Sequence, residues 1–270
     1  MTLFSHALGR LHDAGIENAS QEARWMTELL PRESARRGIP SGELLDHWLS
    51  ERCQGTPFQY VVGSVLFYEW EFLVGPGVLI PRPETELLVD AALKELQTAP
   101  AGSRVLDLCT GSGAIVLSLA LKHPELSCTG VDLSPEALSW AKKNQEALHA
   151  TNCTLLQGDL FQPLEDTTER FCLITANPPY VAPEEYTALP PEVKDYEPRL
   201  ALEAENHGLA LEFKIAQEAR NYLASNGLLL MEMGETQGPA LKEYLISLQY
   251  HGVEILTDLT GRQRFVCGRR

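Results

Sequence analysis

Apolar side chains recur every three or four positions through the first 57 residues, which is the spacing of amphipathic helices. Groups centred on Leu8, Leu29 and Leu45 are separated by glycines and prolines, the residues that commonly end helices. No catalytic pattern is recognisable in this stretch. The spacing therefore predicts a small helical domain over residues 1–57.

The pattern changes over residues 58–80, where Val, Phe, Tyr and Trp are frequent and Gly63 and Gly75 interrupt them. β-Branched and aromatic residues between turn residues are typical of strands. We predict that residues 58–80 form a β-hairpin linker. A Pro-Arg-Pro-Glu-Thr-Glu sequence then opens a helix and begins a third region, predicted to be one domain over residues 81–270.

From residue 103 onward, short apolar runs alternate with helical stretches. This alternation predicts an α/β domain with a mostly parallel, Rossmann-like sheet covered by helices on both faces. Two further runs flank Gly261 and predict an antiparallel pair at the end of the sheet. The runs predicted as parallel strands are 104–108, 128–132, 153–157, 171–176 and 227–233.

Charge and composition narrow the classes of function. The chain has 270 residues, with 22 basic and 37 acidic side chains and a formal charge of −15. Such acidity argues against a protein that grips nucleic acid through a basic face. The chain has no apolar run long enough to span a membrane and no signal-peptide pattern, and its six cysteines lack zinc-like spacing. We expect a monomeric cytoplasmic protein without a metal ion.

Candidate cofactor chemistry begins at residues 105–115, which predict a strand, a glycine turn and a helix start. Gly111 and Gly113 would let a ligand approach the backbone. Val116 stands where a dinucleotide fold requires Gly or Ala, and the lysine of a phosphate-binding loop is absent. Asp132 follows Gly113 at about the spacing of a carboxylate that binds ribose hydroxyls. A nucleoside site without a pyrophosphate grip suits S-adenosylmethionine.

The third predicted strand ends near Asp159, where a carboxylate can meet the adenine amine and an apolar side chain can meet its ring. The alternative is that Asp132 and Asp159 only cap helices and turns. The spacing favours the ribose-binding interpretation for Asp132, and Asp159 remains open between the two.

The fourth predicted strand ends in Asn-Pro-Pro-Tyr at residues 177–180, the most specific feature of the chain. Two prolines end the strand's hydrogen bonding. The Asn177 side chain and the Pro178 carbonyl offer two acceptors, and Tyr180 offers a flat face. This set suits a planar –NH₂ group conjugated to a π system. The alternative is a turn with a buried tyrosine.

The glycine loop at residues 107–113, Asp-Leu-Cys-Thr-Gly-Ser-Gly, is followed along the chain by Asn-Pro-Pro-Tyr at residues 177–180. Together these two motifs resemble class I S-adenosylmethionine-dependent methyltransferases that act on amide or exocyclic amine nitrogen. Four further stretches resemble one branch, the HemK/PrmC family of protein-glutamine methyltransferases. They are residues 80–86, 196–202, 232–237 and 258–262. The resemblance is specific over residues 58–270 and concerns only helical character over residues 1–57.

The resemblance implies that the substrate is the glutamine in the Gly-Gly-Gln motif of peptide chain release factors, whose methylation tunes translation termination. We also predict that the helical domain and the hairpin form the docking surface for this partner, because all recognisable chemistry lies in the second part of the chain. The residues expected to bind S-adenosylmethionine are Cys109, Thr110, Gly111, Ser112, Gly113, Asp132, Asp159, Leu160, Phe161 and Asn177. The residues expected to hold the glutamine amide are Asn177, Pro178, Pro179 and Tyr180, with Asn177, Pro178 and Tyr180 as the catalytic set.

Two departures and several roles stay open. Cys109 replaces a common glycine, and Leu160 stands where the family often has an aromatic residue, so Phe161 is the alternative for the adenine face. Arg82, Thr85 and Glu86 either line the methionine end of the pocket or cap their helix. For three further residues we prefer a structural ion network behind the loop to a catalytic role. These residues are Glu197, Arg199 and Glu232.

Three other functions are alternatives to glutamine methylation of a release factor. The first is the glutamine methyltransferase of a large-subunit ribosomal protein, whose family usually departs from the Arg-Pro-Glu-Thr-Glu pattern. The second is a nucleic-acid amine methyltransferase, which needs cations along the substrate path. The third is a non-catalytic cofactor-binding protein, which the intact loop at residues 177–180 disfavours.

Overall fold

A computed structural model describes residues 2–270 and divides the chain into two compact units. The first unit contains the residues up to Ser64 together with a returning segment, Pro190–Tyr196. The second contains Val65–Leu189 and Glu197–Arg270. No helix of the described chain combines the length and the apolar character needed to cross a bilayer.

The first unit is helical, as the spacing of apolar residues predicts. Its helices are α1 (Leu3–Asp13), α2 (Ala19–Arg37), α3 (Ser41–Cys53), α4 (Phe58–Val62) and, in the returning segment, α9 (Pro191–Lys194). The apolar faces of α1, α2 and α3 meet around Trp48, which is fully buried. Arg52 makes a two-point ion pair with Glu22, at 2.8 and 2.9 Å, and also reaches Glu192 of the returning segment at 3.2 Å.

The hairpin is shorter than the predicted span of 58–80. Its strands are β1 (Ser64–Phe67) and β2 (Trp70–Leu73). Residues 58–62 form α4 instead, because Pro57 precedes the helix and Gly63 ends it in the left-handed conformation, with φ of 89°. The prediction of a hairpin over all of residues 58–80 is therefore wrong at both ends.

A seven-stranded sheet forms the centre of the second unit, with the strand order β5-β4-β3-β6-β7-β9-β8. The strands are β3 (Arg104–Leu108), β4 (Ser127–Asp132), β5 (Cys153–Gln157), β6 (Phe171–Ala176), β7 (Leu223–Glu232), β8 (His251–Thr257) and β9 (Gln263–Arg269). The first five pair in parallel, and β9 pairs antiparallel with both β7 and β8. The tail therefore forms an antiparallel pair at the end of a parallel sheet.

Helices cover both faces of this sheet because successive residues of each strand point to opposite sides. Val105 and Leu173 pack in the core beneath α5 and α6, while Leu106 and Ile174 pack in the core beneath α10 and α11. The helices of this unit are α5 (Glu86–Leu96), α6 (Ala114–Lys122), α7 (Pro135–Leu148), α8 (Pro183–Tyr186), α10 (Ala210–Tyr222) and α11 (Gly238–Ser247).

The chain order places the candidate site. β3 lies between β4 and β6, so successive strands run to opposite sides of β3. Parallel sheets bind ligands outside the carboxyl ends of their strands at such a point. The segments that follow β3, β4, β5 and β6 all meet at this edge.

Candidate active site

A large cavity opens at the carboxyl edge of the sheet, with a volume of 1040 Å³ including the open space at its mouth. Most residues predicted to bind a cofactor line it. They are Cys109, Thr110, Gly111, Ser112, Asp132, Asp159, Leu160 and Asn177, joined by Pro179 of the predicted substrate site. Gly113, Pro178 and Phe161 do not line it.

The glycine loop after β3 takes its shape from two left-handed residues, Gly111 with φ of 58° and Gly113 with φ of 81°. A Cβ atom on Gly113 would lie 2.8 Å from Cδ1 of Leu117, so a side chain here would strain the backbone and displace the Leu117 side chain. Asn144 of α7 donates to the carbonyl of Ser112 at 2.9 Å. Gly113 therefore shapes the loop from behind and does not touch the cavity.

Cys109 also has a left-handed backbone, with φ of 55°, a conformation that favours glycine. Burial raises the pKa of its thiol, and the neighbouring carboxylates of Asp132 and Asp107 raise it further. The thiol is therefore neutral at physiological pH and a poor nucleophile. Cys109 lies on the cavity wall, where it does not act as a nucleophile.

Asp107 holds the loop, although it is not among the residues predicted to bind the cofactor. Its carboxyl group is fully buried and accepts hydrogen bonds from the hydroxyl groups of Thr110 at 2.6 Å and Thr175 at 2.7 Å. Burial raises the pKa of Asp107 to about 7, and the charge of Asp132 adds to the rise. The signal available in the sequence was an acidic residue inside an apolar strand, which requires partners when buried.

Asp132 ends β4 and lies on the cavity wall. One carboxylate oxygen accepts from the Gly111 amide at 2.7 Å, and the other accepts from the Ser134 amide at 2.9 Å. Burial raises the pKa of Asp132, while these backbone amides oppose the rise. Each oxygen keeps further acceptor capacity, so the group can both brace the loop and receive hydroxyl groups of a ligand.

The adenine assignment divides between two neighbouring residues. Leu160 lines the cavity, whereas Phe161 is buried in the core, where its ring stacks on Tyr222 with the centroids 4.6 Å apart. The Phe161 ring therefore faces α10, and of the two residues it is Leu160 that lies on the cavity wall. Asp159 lies on the cavity wall and pairs with Lys214 at 2.7 Å.

The Asn-Pro-Pro-Tyr loop after β6 borders both the large cavity and a smaller one, whose volume is 320 Å³ including the open space at its mouth. Asn177 lines both cavities, Pro179 lines the first and Tyr180 the second. Pro178 is buried and lines neither cavity. The smaller cavity is bounded by Leu79, Arg82, Asn177, Tyr180, Val181, Ala201, Leu202 and Glu232.

Glu232 lies at the end of β7 with 1% of its surface exposed. It accepts from the Thr85 hydroxyl at 2.7 Å and from the Tyr180 hydroxyl at 3.2 Å. Burial raises the pKa of Glu232 to about 7, against the effect of these two donors and of Arg264. The Asn177 side-chain amide in turn donates to the Thr85 oxygen at 3.4 Å.

The predicted ion network behind the loop is in fact three separate arrangements. Glu197 accepts from the Ile80 amide at 3.0 Å and pairs with Arg82. Arg199 pairs with Glu203 at the surface, and Glu232 binds hydroxyl groups. A single network is therefore wrong, because Arg199 points away from the other two.

The question left open for residues 82–86 is answered differently for each. Arg82 and Thr85 line the large cavity, and Thr85 is also the link between Glu232 and Asn177. Glu86 begins α5 and accepts from the Tyr68 amide of the hairpin at 3.0 Å, so it has a structural role.

Apolar residues of the cavity wall were missed by sequence reasoning. Leu133 and Leu200 are 51% and 59% exposed and border the cavity, which is unusual for leucines unless a ligand covers them. Leu133 follows Asp132 directly, and this was the available signal. Within residues 2–270, no group of three or more His, Cys, Asp or Glu side chains is arranged to hold a metal ion.

Comparisons with known proteins agree on one chemistry. A family model described as a methyltransferase domain matches residues 100–250. The chain is 39% identical over 217 residues to the release factor glutamine methyltransferase of Thermodesulfovibrio yellowstonii, covering 80% of this chain and 77% of that protein. It is 35% identical over 279 residues to the enzyme of the same name from Geobacter sulfurreducens, covering 97% and 93%. For the Escherichia coli enzyme of that name, the identity is 38%, covering 83% and 79%.

Solved structures agree on the fold. A methyltransferase from Pyrococcus furiosus aligns with a TM-score of 0.52 at 18% identity, covering 73% of this chain and 87% of that chain. The T. thermophilus 16S rRNA N2 G1207 methyltransferase, in complex with AdoMet and guanosine, aligns with a TM-score of 0.53 at 20% identity, covering 77% and 49%. The second unit thus has the class I methyltransferase fold, which confirms the predicted fold class.

Proposed function

Because this chain belongs to the release factor glutamine methyltransferase family, we propose that it transfers a methyl group from S-adenosylmethionine to a glutamine side-chain amide of a peptide chain release factor. The acceptor glutamine is that of the Gly-Gly-Gln motif. The observation that carries this proposal is the position of Asn177, which lines both the large cavity and the small one.

The large cavity fits S-adenosylmethionine in its chemistry. Asp132 offers a carboxylate for the ribose hydroxyls, and Leu160 an apolar surface for the adenine. Arg82, a cation on the cavity wall, is paired with Glu197, so it offers no free charge for a pyrophosphate. When bound there, S-adenosylmethionine supplies an electrophilic methyl group on a sulfonium sulfur.

The small cavity is the proposed site of the acceptor amide. The Asn177 side-chain oxygen would accept an N–H bond of the amide, and the Tyr180 ring would cover its plane. An amide nitrogen is a weak nucleophile because its lone pair is delocalised. Orientation by these two residues, and polarisation by the Asn177 oxygen, therefore supply most of the acceleration. A strong base is not required, since the nitrogen becomes acidic once it carries the methyl group.

The partner surface completes the proposal. The first unit is proposed to dock the release factor, because both cavities of the candidate site belong to the second unit. We further propose that the protein acts as a monomer and does not bind nucleic acid directly. The formal charge of −15 supports the second of these statements.

Substitution of Asn177 tests the chemistry. Asn177→Ala removes an acceptor at the proposed reacting nitrogen, so kcat for methylation of the release factor should fall by about 100-fold or more. Cofactor binding, measured by calorimetry, should stay detectable because the rest of the large cavity is intact.

The matched control is Asn221→Ala, at an exposed position of α10 outside both cavities. This variant should turn over like the wild type. Near-normal turnover by Asn177→Ala would show that the assignment of the loop is wrong.

A further inference from the structure

The buried carboxyl group of Glu232 lies on the wall of the small cavity, together with Asn177 and Tyr180. Its two oxygens have different partners, the Thr85 hydroxyl at 2.7 Å and the Tyr180 hydroxyl at 3.2 Å. The three residues come from separate parts of the chain: the end of β7, the turn before α5, and the loop after β6. Such a convergence fixes side-chain positions that a surface loop would leave free.

The direction of the hydrogen bonds follows from the chemistry of each group. In its ionised form Glu232 only accepts, and a threonine hydroxyl has a single proton, so in this state the Thr85 proton points to Glu232. The Thr85 oxygen is then an acceptor, and the group facing it on Asn177 must be the amide nitrogen, at 3.4 Å. The side-chain oxygen of Asn177 is thereby turned away from Thr85 and left free to accept.

We propose that Glu232 is a positioning residue that fixes the orientation of the Asn177 amide through Thr85 and holds the Tyr180 ring directly. This inference rests on the proposed function, since it explains how Asn177 presents an acceptor to the substrate amide. Rotating the Asn177 amide by half a turn would present N–H groups to the substrate N–H groups. Two donors facing each other leave the substrate amide without its acceptor.

Removal of the Thr85 hydroxyl breaks the link to Asn177 while keeping the shape of the side chain. Thr85→Val should lower kcat by about tenfold or more, because the Asn177 amide is no longer held in one orientation. The dissociation constant for S-adenosylmethionine and the KM for the release factor should each change by less than about threefold. Thr85→Ser keeps the hydroxyl and should restore kcat to within about threefold of the wild type.

The matched control is Thr129→Val, the same chemical change at a half-buried position of β4 outside both cavities. It should leave kcat unchanged. If Thr85 had only a structural role, Thr85→Val would lower the stability of the protein but would not lower kcat while leaving KM unchanged.

Glu232→Gln tests the carboxyl group itself. A glutamine can keep its oxygen on either Thr85 or Tyr180 but not on both, so one of the two loses its acceptor. This variant should also lower kcat. In the Thr85→Val background the glutamine oxygen can turn to Tyr180, so the double variant should be no slower than Thr85→Val by more than about twofold.

The outcomes separate this inference from the proposed function. A wild-type protein that transfers no methyl group to the release factor contradicts the proposed function. An active wild type overturns the positioning role in any of three cases: Thr85→Val is as fast as Thr129→Val, Thr85→Ser is as slow as Thr85→Val, or the losses from Thr85→Val and Glu232→Gln multiply.

Discussion

Glu212 lies on the inner face of α10 with its side chain fully buried, and neither carboxyl oxygen has a hydrogen-bond partner in the described chain. Burial raises the pKa of this group to about 8. A buried carboxyl group without partners destabilises the folded state by about 1–3 kcal/mol. Glu212 therefore weakens the second unit, and the mechanism proposed for the site does not use it.

Glu212→Leu should raise the free energy of unfolding by about 1–3 kcal/mol, measured by denaturant titration. The gain should be larger at about pH 8 than at about pH 5. Between the ordinary pKa of glutamate and the raised value of about 8, the unfolded chain has lost a proton that the folded chain keeps. The free energy of unfolding of the wild type therefore falls as the pH rises through this range. The Leu variant has no ionisable group at this position, so it does not show this decrease.

Glu243→Leu, at an exposed position of α11, is the control for this comparison. Its effect on the free energy of unfolding should stay within about 0.5 kcal/mol at both pH values. A gain from Glu212→Leu that is equal at the two pH values would contradict the assigned cause.

Single residues were predictable where spacing carries information. Asp132 and Asn177 each end a predicted strand, and parallel strands bring such ends to one edge. The choice between Leu160 and Phe161 for the cavity wall could not be made from the sequence, because it depends on the local backbone, and Leu160 takes a left-handed backbone with φ of 50°. The position of Asp107 in an apolar strand indicates a buried acidic residue. Its two threonine partners could not be predicted, because they come from separate segments of the chain.

At the level of the elements, the join between β3 and α6 depends on Gly113. Gly113 has a left-handed backbone, and a Cβ atom there would lie 2.8 Å from Cδ1 of Leu117, so any larger residue is strained and displaces the Leu117 side chain. Gly113→Ala should lower the free energy of unfolding by about 2–4 kcal/mol, from backbone strain and a displaced side chain. It should also weaken binding of S-adenosylmethionine by about tenfold, because the residues next to it line the cavity. Calorimetry measures the second effect.

Gly102→Ala isolates the contribution of the backbone. Gly102 has nearly the same φ, 80°, but a Cβ there would meet no atom within 4 Å. This variant should cost about 1–2 kcal/mol of stability and leave cofactor binding unchanged. Equal effects on cofactor binding from both alanines would mean that contact with Leu117 does not shape the loop.

The helices and strands were largely predictable, because a regular spacing of apolar residues distinguishes a helix from a strand. All five predicted parallel strands occur, with β7 beginning at Leu223 instead of residue 227. The 58–80 span was misassigned because Phe58–Val62 is a short apolar run, and such a run fits a buried helix as well as a strand. The return of Pro190–Tyr196 to the helical unit has no periodic signal at all.

Across the whole molecule, the charge of −15 has a consequence for association. A partner that works on the ribosome is expected to carry basic patches, which an acidic protein attracts over long distances. The association rate with the release factor should fall as NaCl is raised from about 50 to about 500 mM, because salt screens this attraction. Stopped-flow fluorescence measures it. The value of kcat at saturating release factor should change by less than about twofold, and a salt-independent association rate would contradict steering.

The central claim is that the acceptor is one amide group, the glutamine of the Gly-Gly-Gln motif. Transfer of a labelled methyl group from S-adenosylmethionine to purified release factor tests it most directly, with the motif either intact or carrying alanine in place of the glutamine. The intact factor should gain one labelled methyl group, located by mass spectrometry on that glutamine, and the alanine factor should gain none. Equal labelling of the two factors, or no labelling of the intact one, would contradict the claim.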